Sequence, residues 1–102
     1  MIQARSDAVE GLRLEALLRT GRECLRDVRG LPEPPPHDAR DEIMACSQIA
    51  RELWVRSDPH GPEDVRAAHA LAVELMVATT QAMGEWARGR RMRQVRHMLG
   101  EA

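Results

Sequence analysis

The chain has no phenylalanine, no tyrosine and no lysine, and only two tryptophans and two cysteines among its 102 residues. Strands draw on aromatic and β-branched side chains, so a sheet-built core has little to work with. Leu, Ala, Met, Glu and Arg are strong helix formers and supply most of what is left. An all-α protein is predicted. Two cysteines exclude a disulfide-built scaffold. Arg5, Asp7 and Glu10 interrupt the N-terminal stretch where a signal peptide would need an apolar run, so a reducing, cytoplasmic setting is expected. A membrane span is excluded on similar grounds, because the most apolar stretch, Val65 to Met83, contains Glu74 and Gln81. The sequence carries no glycine-rich phosphate loop and no Glu-x-x-His pair of the di-iron bundles.

What is present is punctuated clearly. Leu14, Leu17, Leu18, Gly21, Cys24, Leu25 and Val28 recur at spacings of three and four, the mark of one buried helical face. The first helix is placed at about 7–29, opened by an Asp7/Glu10 capping box and closed by Gly30 in the left-handed position with Leu31 and Pro32 behind it. Residues 31–37 (LPEPPPH) form a stiff polyproline-like connector. The second helix, about 39–57, takes Asp38 as its N-cap. It buries Ile43, Cys46, Ser47, Ala50, Leu53 and Trp54, with Met44 and Ile49 at the margins. Asp58-Pro59-His60-Gly61 is a turn, and Pro62 suits the first position of the third helix.

That third helix, about 62–99, is the most distinctive element. It is apolar over far more than an ordinary surface stripe from 65 to 83, then carries Arg88, Arg90, Arg91, Arg93 and Arg96 within nine residues. At 1.5 Å per residue it would far outrun the first two helices. Gly84 and Gly89 are weak points at about 1 kcal/mol each relative to Ala, so a kink folding back a short fourth helix is the alternative geometry. Formal charge is −1 overall but strongly polarised: residues 32–87 set four arginines against ten carboxylates, and residues 88–102 set five arginines against Glu101 alone.

Candidate chemistry is thin. Ile49 to Ser57 followed by Glu63 to Arg66 resembles a helix-turn-helix loosely, with Trp54 in the place of the turn glycine. The second helix there lacks the basic and polar N-terminal side chains that reach base edges. His60 with Asp58 and Glu63 matches no metal-ligand spacing, and His37, His69 and His97 stand alone. Cys24 and Cys46 fall at similar heights in an antiparallel helix pair, which brings a disulfide within geometric reach; buried thiols are the preferred reading.

The residues therefore predict one three-helix domain with no catalytic residues, no metal and no cofactor. Its expected role is that of a protein–protein interaction module (adaptor, regulator, inhibitor or chaperone-like) docking through the third helix. Leu71, Leu75, Met76 and Met83 are the expected apolar anchors, with Trp86 at the rim. Arg88, Arg90, Arg91, Arg93 and Arg96 are the electrostatic contacts. A protein partner and a homodimer are expected, and neither a membrane nor a small-molecule substrate. The alternative is a nucleic-acid-associated dimer using the arginine-rich segment 88–96 for phosphate contacts.

Overall fold

The computed structural model describes residues 12–100. Among the described residues three α-helices follow one another: α1 (Leu14–Arg29), α2 (Arg40–Arg56) and α3 (Glu63–Met98), with a short 3-10 turn, His37–Ala39, leading into α2. All three helices pack on one another, and the domain is an all-α three-helix bundle. The Asp7/Glu10 capping box and the start of the expected first helix lie outside the described residues.

One core runs through the bundle. α1 contributes Leu17, Leu18, Leu25 and Val28, α2 contributes Ile43, Cys46, Ile49, Ala50 and Leu53, and α3 contributes Ala68, Leu71, Ala72, Leu75, Ala82 and Trp86. Ala50, Ala68, Ala72 and Ala82 are buried beside the larger side chains, and small residues let helices approach closely. Gly21 does the same for α1: a Cβ there would stand 2.8 Å from Leu53 Cδ1 and 2.9 Å from Leu71 Cδ2. Among the described residues the one buried polar side chain is Thr79, whose hydroxyl donates to the Leu75 carbonyl at 2.8 Å within its own helix.

Local details depart from expectation in several places. Gly30 ends α1 at φ −84°, outside the left-handed region, because Gly30 N–H bonds to Arg26 O and Leu31 N–H to Val28 O in a tightened last turn. Asp38 does not cap α2: the 3-10 turn runs straight into the helix, and Ala39 occupies the N-cap with its N–H bonded to Pro36 O. Pro62 is the N-cap of α3, one residue before the helix begins. Trp54 is not buried but 48% exposed, its ring tilted against His69 at 5.1 Å. Leu53 takes the inward position of that turn, which sends its neighbour about 100° away. Ile49, expected at the margin, is in the core.

The proline connector becomes a strap laid across α3. Pro35 is fully buried, and the Glu33–Pro34 peptide bond is cis. Gly89 lets the strap close: a Cβ at that position would lie 2.9 Å from Pro34 Cβ. α3 is continuous through Gly84 and Gly89, so no fourth helix folds back. Its 36 residues span about 54 Å, against about 24 and 26 Å for α1 and α2. The bundle ends at Gly89, and every residue from Arg90 to Gly100 is exposed.

Candidate protein-interaction surface

The expected anchors are used by the chain itself. Leu75 is 0% exposed, Leu71 and Trp86 are also core residues, and Met76 and Met83 are half-buried against that core. Leu71, Leu75 and Trp86 therefore serve the chain's own core and not a docking face, while Met76 and Met83 stay partly accessible. A helix surrounded by alanine and leucine can turn any side inward, and α1 and α2 cover the side bearing Leu71, Leu75 and Ala82. Trp86 is not at a rim either. Its Nε1–H donates to the His37 carbonyl at 3.0 Å, and its ring stacks with His37 at 6.2 Å between centroids. The guanidinium groups of Arg40 and Arg90 each lie 5.9 Å from that ring, within cation–π range. Trp86 thus closes the end of the bundle where the strap, α2 and α3 meet.

The opposite side of α3 faces solvent along its whole length. Val73 and Val77 lie in its first half, Val77 being 62% exposed. Met92, Val95, Met98 and Leu99 lie in the projecting second half, Met98 reaching 83%. At 3.6 residues per turn these six fall within a sector of roughly 120°. They form one discontinuous apolar face, interrupted between its halves by Gln81, Gly84 and Arg88. Val73 and Val77 escaped the sequence reading because they are as apolar as the buried Leu71 and Leu75. Their signal was phase: they recur three to four residues apart on the far side of the helix.

Charge is distributed unevenly along this face. Beside Val73 and Val77 a groove opens between α3 and the strap, its apolar wall completed by Val28 and Leu31. Among the described residues, three carboxylates, Glu33, Glu74 and Glu85, line it with one cation, Arg29, which is paired with Glu74 at 3.6 Å. The projection carries the opposite sign. Arg88, Arg90, Arg91, Arg93 and Arg96 are all exposed, as expected, and among the described residues none of them joins an ion pair. Arg88, Arg93 and Arg96 surround Met92 in a shallow cleft beyond Pro34, whose inner end is shared with the acidic groove through Glu33 and Glu85.

Cys24 and Cys46 meet between α1 and α2 as free thiols. Their mutual hydrogen bond holds Cys24 below the usual thiol range, and the same bond together with burial pushes Cys46 up. Among the described residues, no three His, Cys, Asp or Glu side chains come together in a way that could hold a metal ion, and no helix is long and apolar enough to cross a membrane. No protein-family model, curated protein or solved structure matches this chain.

Proposed function

We propose that the domain is a non-enzymatic protein-binding module that docks through the solvent face of α3. The observation that carries this reading is the row of large apolar side chains left uncovered on that face, from Val73 to Leu99, on a helix that outruns its own bundle by about 15 Å. Large apolar side chains exposed in this way mark interaction sites, here as two patches separated by Gln81, Gly84 and Arg88, and the arginines around them would speed encounter with an acidic partner. An adaptor, regulatory, inhibitory or chaperone-like role in the cytoplasm fits such a surface.

Unpaired arginines on the projection favour a second reading, nucleic-acid backbone binding. Phosphate contacts bring a steep loss of affinity with salt. The two readings separate in a nuclease-treated capture from the host lysate with three baits. Under the protein-binding reading a stoichiometric protein partner survives nuclease, is lost with Val77→Asp, and tolerates moderate salt. Recovery that disappears with nuclease and with Arg90, Arg91 and Arg93 changed to Gln would establish the second reading instead.

A further inference from the structure

We infer that the solvent face of α3 pairs with its own copy, antiparallel, about a two-fold axis passing close to Gly84 and Glu85. This deepens the protein-binding reading and rests on it. An isologous contact requires each surface to carry both a feature and its complement, placed symmetrically about one point. α3 meets that requirement. The acid-lined apolar groove beside Val73 and Val77 lies about ten residues before Glu85, and the arginine-flanked apolar tip at Met92, Val95 and Leu99 lies about ten residues after it. Both point the same way around the helix, by the 100° turn per residue.

Antiparallel pairing then seats the tip of one protomer over the groove of its copy, twice. Val73 and Val77 would meet Val95 and Met92 of the second copy, and the Glu74 carboxylate would come level with the second copy's Arg96. Glu74 keeps Arg29 on its other side, an exposed pair that leaves a carboxylate oxygen for a further cation. Parallel pairing is excluded by charge, since it would set the five arginines of residues 88–96 against five of the same sign. At the crossing point Gly84 offers an open surface: a Cβ there would have only the Arg88 Nη1 within 4 Å, at 3.9 Å. Helices cross closely where small residues meet, and among the described residues only the end of the Arg88 side chain borders that space.

Sedimentation equilibrium of the full chain tests the pairing. A reversible dimer is expected over about 1–300 µM, weakening as salt rises because opposite charges are brought together. Val77→Arg should leave the helical circular dichroism unchanged and abolish the dimer. Glu74→Arg should weaken it by about tenfold, and Glu74→Arg combined with Arg96→Glu should restore it, since the charges are exchanged across the two-fold. A chain that stays monomeric throughout that range overturns the proposal, as does a dimer indifferent to Val77→Arg, or a charge exchange that fails to rescue. Failure here is distinct from failure of the broader reading: a monomer whose capture of another protein still depends on Val77 would sink the self-pairing and leave the docking face intact.

Discussion

Two glycines of one helix should respond to the same substitution with opposite signs. Gly84 and Gly89 both lie inside α3, where each costs about 1 kcal/mol relative to alanine through backbone entropy. At Gly84 an added Cβ enters open space, 3.9 Å from a mobile guanidinium, so Gly84→Ala should recover most of that amount. At Gly89 the Cβ meets Pro34 Cβ at 2.9 Å and Pro34 Cγ at 3.2 Å, ring carbons of a strap held in place by buried Pro35. Overpacking of this kind costs about 1–3 kcal/mol, enough to cancel the helix gain and leave a net loss of about 1 kcal/mol. The two variants should therefore differ by about 2 kcal/mol. Urea denaturation in dilute solution, with monomer confirmed, reads this directly: with a slope of about 1 kcal/mol/M the midpoints should separate by about 2 M. Equal stabilisation by both substitutions would refute the reasoning, because it would mean that the strap does not close on α3 at Gly89.

Other consequences follow from the same contacts. Leu75→Ala should cost about 2–5 kcal/mol by opening a cavity in the core, whereas Val77→Ala, half a turn away and exposed, should change stability by less than about 0.5 kcal/mol; chemical denaturation compares them. Tryptophan fluorescence has no tyrosine background here, so the single-tryptophan variants are easily read: Trp54→Leu should leave a blue-shifted, quencher-protected emission from Trp86, and Trp86→Leu a red-shifted, quenchable one from Trp54. Cys24 is held below the usual thiol range by the Cys46 hydrogen bond, so its thiolate should form at lower pH than in the unfolded chain. Cys46→Ala removes that donor, and the alkylation rate profile of Cys24, followed by mass spectrometry, should move to higher pH.

Much of the architecture was legible before folding, and the exceptions have physical causes. The α1 face could be read because its polar and apolar residues alternate with helical period, as Leu17, Leu18, Leu25 and Val28 demonstrate. The proline strap and the turn at Asp58 to Gly61 could be read because proline fixes its own φ and Asp side chains bond back to the backbone two residues on; His60 N–H does bond to Asp58 Oδ1 at 2.9 Å. The exposed arginines were legible too, being too costly to bury unpaired. The proposed docking face was not. In α3 the run from 65 to 83 is apolar on nearly every side, so periodicity cannot tell Leu75 from Val77. Which side turns inward depends on where α1 and α2 cross it, a tertiary fact. The acidic groove was hidden for the same reason, since Glu33, Glu74 and Glu85 come from two segments joined only by folding. Trp86 misled because its size suggested the rim of an interface, while the His37 carbonyl that satisfies its N–H is 49 residues away in sequence.

The solvent face of α3 is proposed to dock protein. The most direct test is photocrosslinking from a benzophenone amino acid placed at Val77, compared with the same group at Val55, which is 70% exposed on α2. In nuclease-treated lysate the account predicts a discrete protein adduct from position 77, a second copy of the chain or another partner, and none from position 55. Equal, diffuse labelling from both positions, or adducts from position 77 to nucleic acid alone when nuclease is omitted, would contradict it.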